Sequence, residues 1–160
     1  MSEITIRIGV LSARGLAAAD KSGYSDPYVV LRVNHKKYKT KAIDQTLDPV
    51  WNTHFDIKVA PKKIPTLLSF TVWDKDTFGR DFLGEITVPF KNIFDRNAQG
   101  VSDGVPRNYN DPENYDAYYT LAKRKENTNV TGEICLKFGI LEEHVGDAKR
   151  YADAWEVLNA

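Results

Sequence analysis

The sequence has 160 residues, 42% of them hydrophobic, and its 22 lysines and arginines balance 22 aspartates and glutamates. This composition suits one globular domain with a full-sized core and excludes a disordered chain. A formal net charge of zero argues against binding nucleic acid through overall positive charge. The single cysteine, Cys135, excludes an intrachain disulfide and indicates a reducing, cytoplasmic compartment.

Apolar and polar residues alternate with a period of two along most of the chain, as they do in Ile4, Ile6, Ile8 and Val10 at its start. This alternation is typical of half-buried β-strands. The strands predicted in chain order cover residues 4–10, 28–33, 36–41, 55–59, 67–73, 82–88, 117–121 and 132–140. About eight short strands separated by turn residues predict an all-β sandwich.

Two segments depart from the strand pattern. Residues 91–117 are rich in Asn, Asp, Gly and Pro, and predict a long inter-strand loop with a helical turn near residues 92–94. Residues 142–158 predict a short amphipathic helix that packs on the sandwich or on a neighbouring domain. Its apolar residues recur at helical spacing, at Val145, Ala148, Ala152 and Trp155, with Tyr151 and Leu158 nearby.

These patterns predict two parts in the chain. Residues 1–141 are expected to form the β-sandwich, including the long loop at 91–117, and residues 142–160 a helical tail. No run of about 18 apolar residues predicts a transmembrane helix, so any contact with a membrane is expected to be peripheral.

Five aspartates concentrate in two polar segments that lie between predicted strands: Asp20, Asp26, Asp74, Asp76 and Asp81. If the two segments lie side by side, their carboxylates converge and repel one another unless a cation is bound. Oxygen ligands without His or Cys select Ca²⁺ or Mg²⁺. Aspartate also caps turns, and that purely structural role is the alternative for either segment taken alone.

Residues 74–85 also come close to the Ca²⁺-binding loop of an EF-hand, with Gly79 at the sixth position and Glu85 at the twelfth. Phe78 at the fifth position supplies no side-chain oxygen. An EF-hand loop needs a helix on each side, whereas both flanks here alternate as strands. The EF-hand interpretation is therefore rejected.

Four separated motifs resemble those of C2 domains. Residues 15–16 (Gly-Leu), with Asp20 and the run 25–28 (Ser-Asp-Pro-Tyr), resemble the first Ca²⁺-binding loop of that family. The run 46–52 (Thr-Leu-Asp-Pro-Val-Trp-Asn) resembles its inner-strand motif. The run 72–84 resembles its third loop, although this loop is one residue shorter than the family pattern before Asp81. The run 132–134 (Gly-Glu-Ile) resembles its last strand.

The resemblance implies an eight-stranded antiparallel sandwich with the phospholipase-like (type II) topology. It implies two or more Ca²⁺ ions, held by the five aspartates and by the main-chain carbonyls of Ala19 and Lys75. It further implies Ca²⁺-dependent binding to anionic phospholipid membranes, with phosphatidylserine as one ligand.

Side chains at the loop tips are candidates for lipid contact. Phe78 is expected either to enter the bilayer interface or to fold back on the sandwich. Arg80 beside it would favour anionic headgroups, and Tyr24 in the first loop is a weaker candidate.

A second candidate surface is basic. Lys37, Lys39 and Lys41 fall on one face of a predicted strand, next to Arg32 on the preceding strand. A lysine-protected sheet edge is the alternative. Lys39 and Lys41, with Tyr28 and Arg32, resemble the phosphoinositide site of protein kinase C, except that Val30 replaces an expected lysine.

Two other functions compete with the membrane hypothesis: a Ca²⁺-independent protein-interaction module of the same fold, and the targeting piece of a larger lipid-signalling enzyme. The sequence has no nucleophile–base pair and no phosphate-cradling glycine loop, so the chain itself is not expected to be an enzyme. The expected partner is an anionic membrane. A protein, or C-terminal domains outside this chain, are further candidates. Nucleic acid is not an expected partner. The expected location is cytoplasmic, peripheral at membranes.

Overall fold

The computed structural model describes residues 3–18, 23–60, 62–76, 79–94, 107–126, 128–142 and 146–158, with the backbone alone at 148 and 154–158. The strands are β1 (Ile4–Arg14), β2 (Pro27–Val33), β3 (Lys36–Lys39), β4 (Val50–Val59), β5 (Leu67–Asp76), β6 (Gly79–Pro89), β7 (Ala117–Thr120) and β8 (Glu133–Leu141). A 3₁₀ turn spans Phe90–Asn92, and helix α1 spans Asp147–Leu158. The predicted eight-stranded sandwich with a short C-terminal helix is confirmed.

The strands form two antiparallel sheets of four. Sheet A has the order β4-β1-β8-β7, and sheet B has the order β3-β2-β5-β6. The last strand, β8, pairs with β1 in the middle of sheet A. In sheet B, β5 lies between β2 and β6, which brings together the ends of three strands that are separated in sequence.

The core lies between the sheets and follows the period-two pattern. Ile4, Ile6, Ile8 and Val10 of β1 are all 0% exposed, because alternate side chains of one strand point to the same face. Leu31 and Phe70 meet them from sheet B and are also fully buried. Each such side chain contributes about 1.5–3 kcal/mol of transfer free energy, so the alternating strands specify which face of each sheet turns inward.

Several strands are longer than their hydrophobic pattern predicts. Strand β1 continues to Arg14, β4 begins at Val50 rather than at residue 55, β5 continues to Asp76, and β6 already begins at Gly79. Residues 74–76 and 79–81, which were predicted to lie between strands, therefore belong to strands. Backbone pairing extends past the apolar run, because cross-strand hydrogen bonds do not require a buried face. Asp74 and Asp76 belong to β5, and Asp81 belongs to β6.

The run 46–52 connects sheet A to the first loop. Trp51 is 8% exposed, and its indole Nε1 donates a hydrogen bond to the carbonyl of Pro27 at 3.1 Å. The amide of Thr46 donates to the carbonyl of Ser25, and the amide of Leu16 donates to the carbonyl of Leu47. This run therefore holds both ends of the first loop against the sandwich.

Helix α1 packs on the sandwich through one aromatic side chain. Tyr151 is 2% exposed, and its ring centroid lies 6.4 Å from that of Phe90 and 5.7 Å from that of Phe94. The sequence predicted the helix, which begins at Asp147, and placed Tyr151 near the apolar face rather than at its centre. Of the residues predicted for that face, Ala152 is only partly buried.

We expect helix α1 to fold as one unit with the sandwich, rather than as a separate tail. Replacing Tyr151 by Ala should then lower the free energy of unfolding by about 3 kcal/mol, as for other large aromatic side chains removed from a core. Denaturant unfolding measures this loss. Lys149→Ala, an exposed site on the same helix, is the control and should change stability by less than about 0.5 kcal/mol. Equal values for the two variants would contradict a shared unit.

Part of the predicted loop, residues 107–116, packs on the outer face of sheet A. The amide of Tyr109 donates to the carbonyl of Ile140, and the amide of Ile140 donates to the carbonyl of Arg107. The side-chain amide of Asn114 donates to the carbonyl of Phe138 at 2.8 Å. Tyr109 rests on Gly9 and Gly139, where a Cβ atom at Gly9 would lie 2.3 Å from the Tyr109 hydroxyl.

We expect Gly9→Ala to destabilise the protein by about 1–3 kcal/mol, because an added methyl group overpacks this contact. Tyr109→Phe removes the atom that clashes, so the same Gly9→Ala change should cost less in that background. A double-mutant cycle from urea unfolding measures the coupling. Additive effects, within about 0.5 kcal/mol, would show that the hydroxyl does not limit the space at Gly9.

Candidate calcium and headgroup sites

Strand register brings three of the predicted carboxylates to one end of sheet B. Pro27 pairs with Asp74, and Asp74 pairs with Asp81 on the opposite side. Asp26 directly precedes Pro27, so Asp26, Asp74 and Asp81 come from three neighbouring strand ends. Asp76 follows on β5 and is exposed. The remaining predicted residues of this end, Ala19, Asp20 and Phe78, lie outside the described residues.

Backbone amides hold the inner carboxylates. Asp74 is 3% exposed, and its Oδ1 accepts a hydrogen bond from the amide of Asp26 at 2.7 Å. Oδ1 of Asp26 accepts one from the amide of Gln45 at 2.6 Å, and the amide of Lys75 donates to the carbonyl of Asp26. An ionised carboxylate has about four acceptor positions, and these bonds occupy some of them and orient each group.

The donor chemistry of this acidic end fits a hard cation. The predicted side-chain ligands are all carboxylates, which suit Ca²⁺ rather than a transition metal. Among the residues that the structure describes, which omit Asp20, no three His, Cys, Asp or Glu side chains form a group that could hold a metal ion. If a cation binds at this end, the described aspartates would supply only part of its coordination shell, and the first loop would have to complete it.

The outer face of sheet B carries a basic pocket next to the acidic end. Its cavity of about 490 Å³ is lined by Tyr28, Lys39, Thr40, Lys41, Ala42, Asp44 and Lys75. Lys39, Lys41 and Lys75 are exposed. No ion pair between described residues involves these three lysines. Three lysines therefore line one cavity, with Asp44 as the acidic residue in its lining.

Two further cations continue this face. Arg32 on β2 pairs in register with Lys37 on β3, and like charges directly opposite each other destabilise a sheet. The Nε atom of Arg32 is buried and has no hydrogen-bond partner in the described part of the chain. Both features favour an anion on this face. The predicted grouping of Arg32, Lys37 and Lys39 on neighbouring strands is present, while Lys41 lies just past the end of β3.

An aromatic stack borders the acidic end. The guanidinium carbon of Arg80 lies 3.8 Å from the ring centroid of Trp73, and Trp73 packs edge-on against Phe82. Arg124 covers Phe82 at 4.7 Å and pairs with Glu85. Such cation–π contacts contribute about 0.5–2 kcal/mol each. They place Arg80 beside the acidic end, with its charge on the surface.

Sequence reasoning missed two contributions to these sites. It treated Lys75 only as a source of a main-chain carbonyl, although strand alternation puts the side chains of Lys75 and Trp73 on one face. It did not foresee Arg124, which reaches Phe82 through the bridge between Glu85 and Ala122. No local pattern indicates that pairing. Tyr24, predicted at the first loop, is 50% exposed.

The two sheets and the acidic strand ends define a C2-like sandwich, and comparison with known proteins gives the same class. The family model described as "C2 domain" matches residues 4–103. The chain belongs to the C2 domain family.

The chain is 37% identical over 89 residues to Multiple C2 and transmembrane domain-containing protein 1 of Mus musculus, a match that covers 55% of this chain and 9% of that protein. It is 32% identical over 131 residues to the Rho GTPase-activating protein gacEE of Dictyostelium discoideum, covering 80% of this chain and 20% of that protein. The chain therefore spans a fifth or less of these two relatives.

Solved structures agree on the fold. A C2 domain of plant Extended Synaptotagmin 1 superposes with a TM-score of 0.66 at 21% identity, covering 88% of this chain and 95% of that one. A calcium-bound structure of two C2 domains of Extended-Synaptotagmin 2 gives a TM-score of 0.62 at 21% identity, covering 88% of this chain and 46% of that one.

If the acidic end binds Ca²⁺, Asp74→Asn should weaken that binding at least about tenfold, the low end of what even an outer-shell change costs a metal site. The substitution removes one charge from the ligand set while keeping the size of the side chain, and affinity follows ligand charge. Calorimetric titration with Ca²⁺ measures the effect. Asp153→Asn, on helix α1, makes the same charge change away from the sheet end and is the control. Equal affinity in both variants would contradict Asp74 as a ligand.

Proposed function

We propose that this C2 domain binds Ca²⁺ at its acidic end and thereby docks on anionic phospholipid membranes, including phosphatidylserine, as a membrane-targeting module. The observation that carries the proposal is the strand register, which aligns Asp26, Asp74 and Asp81 at one end of sheet B. Asp74 is buried and its Oδ1 accepts a hydrogen bond from a backbone amide, a contact that would orient this carboxylate for a cation.

In this mechanism the chain's own residues create an electrostatic switch. The proposed side-chain ligands are Asp20, Asp26, Asp74, Asp76 and Asp81, and Ala19 and Lys75 contribute carbonyls. Without a cation, these carboxylates repel an anionic surface. Two bound Ca²⁺ ions would supply roughly +4 of charge, and further ions more, with open coordination positions for phosphate or carboxylate oxygens of lipids. Binding of Ca²⁺ and binding of membrane then strengthen each other.

Three side chains of the loop tips are the proposed membrane contacts: Phe78 for the interface, Arg80 for headgroups, and Tyr24. The exposure of Tyr24 and the placement of Arg80 over Trp73 support these roles. None of the helices in the described ranges is long and apolar enough to cross a bilayer. We propose peripheral attachment at the cytoplasmic surface of membranes.

The basic face would add a phosphoinositide contact. Lys39 and Lys41 line the pocket with Tyr28, and Arg32 and Lys37 extend the positive charge along sheet B. Cations without acidic partners attract phosphate groups, and each lysine or arginine near an anionic surface contributes about 1 kcal/mol. A lipid with a multiply charged headgroup is therefore the proposed ligand of this face.

The membrane role would operate within a larger protein. The chain spans a fifth or less of the two relatives described above, which supports a targeting module attached to other domains. The competing hypothesis is a Ca²⁺-independent protein-interaction module. It differs in one measurable respect, since it does not require the acidic end to bind a cation.

Co-sedimentation with vesicles tests the proposal. We expect binding to phosphatidylserine-containing vesicles in Ca²⁺, and loss of binding in chelator or on neutral phosphatidylcholine vesicles. Added salt should weaken the interaction, because exposed charges are screened over about 8 Å at physiological ionic strength. Binding that is indifferent to both Ca²⁺ and lipid charge would refute the switch and favour the protein-interaction hypothesis.

A further inference from the structure

The side chain of Lys75 gives the basic pocket a third cation. It lines the same cavity as Lys39 and Lys41, although it comes from β5 while the other two come from β3 and the residues after it. It lies between two predicted Ca²⁺ ligands in sequence, Asp74 and Asp76. Its backbone is fixed, because its amide donates to the carbonyl of Asp26 at 2.9 Å.

The geometry explains why this lysine points into the pocket. Tyr28 pairs with Trp73 across β2 and β5, and the side chain two residues beyond Trp73 falls on the same face. Lys75 pairs in turn with Arg80, whose guanidinium lies over Trp73 at 3.8 Å. Because Arg80 stays at the ring, Lys75 is the cation of this strand pair that lines the pocket beside Tyr28.

We propose that Lys75 is the specificity-determining residue of the pocket and selects headgroups that carry a phosphomonoester. This inference rests on the proposed function, since it assigns a preference to the same membrane-binding surface. A phosphomonoester carries a charge of about −1.5 to −2 and three acceptor oxygens, whereas a phosphodiester carries one negative charge. Three ammonium groups around one cavity match the first group better than the second.

The preference follows from counting charges. Lys39 and Lys41 suffice for the single charge of a diester, but Asp44 in the lining offsets part of their field. The third ammonium group restores the excess positive charge that a doubly charged phosphate requires. A phosphate between the three lysines would also separate Lys75 from its like-charged neighbours, and so the bound state relieves a repulsion that the empty pocket retains.

The variant Lys75→Gln tests the proposal, because it removes the charge while keeping most of the side-chain length and the main-chain carbonyl. Its matched control is Lys62→Gln, which makes the same charge change at an exposed turn before β5 outside the pocket lining. Calorimetry with inositol trisphosphate in chelator measures binding to the pocket without any contribution from bound Ca²⁺. We expect the affinity of Lys75→Gln to fall about fivefold, the equivalent of about 1 kcal/mol per cation, and that of Lys62→Gln to stay within about twofold.

Vesicles then connect the pocket to lipid. With Ca²⁺ present, the ratio of affinities for phosphatidylinositol bisphosphate and phosphatidylserine vesicles should fall about fivefold in Lys75→Gln. A ratio equal to that of the wild type, or no binding of inositol trisphosphate by the wild-type protein, would overturn the assignment. Failure of the wild type on phosphatidylserine vesicles, with trisphosphate binding and its dependence on Lys75 intact, would reject the Ca²⁺ switch and leave the pocket standing.

Discussion

The strand register at one end of sheet B is the constraint on which the rest of the structure depends. Pairing Pro27 with Asp74 and Asp74 with Asp81 places Asp26, Asp74 and Asp81 at the same end of the sheet. The hydrophobic core fixes that register, because a slip of one residue would turn Leu31, Phe70 and their neighbours toward solvent. The core therefore holds like charges next to each other at its end. Backbone amides of Asp26 and Gln45 offset part of the repulsion, and a divalent cation would offset the remainder.

The same hydrogen bonds link the acidic end to the basic pocket. The run that follows β3 binds β2 through reciprocal contacts between Thr40 and Val29, and the amide of Ile43 donates to the carbonyl of Pro27. Two residues further on, the amide of Gln45 binds the carboxylate of Asp26. Residues that line the pocket thus lie on a segment anchored to a predicted Ca²⁺ ligand. Because the two sites share this backbone network, a change in the position of either would be transmitted over a few residues.

The local sequence predicted which residues form the inner face of the sandwich and which acidic residues lie at its end. Alternation located the buried residues of β1 and β8, and the family motifs located Trp51, which is buried as expected. The lengths of β5 and β6 were not predicted, because the residues at their outer ends have polar side chains and pair only through backbone hydrogen bonds. The docking residue of helix α1, Tyr151, was predicted only to lie near the apolar face, for a different reason. Its partners, Phe90 and Phe94, lie beyond the end of β6, and helical spacing alone cannot identify a face that a remote 3₁₀ turn covers.

A net charge of zero conceals a strongly polarised surface. The acidic end and the basic pocket are neighbours on sheet B, since Lys75 belongs to both segments. On an anionic membrane these two regions would act in opposite directions, with the basic face attracted and the unliganded carboxylates repelled. Neither region lies more than a few residues from the other along β5, so the membrane cannot approach one without meeting the field of the other. A cation at the acidic end would change the sign of that region alone, and both regions would then favour the same surface. The proposed requirement for Ca²⁺ follows from this adjacency, because a basic pocket on the far side of the sandwich could bind lipid without any cation.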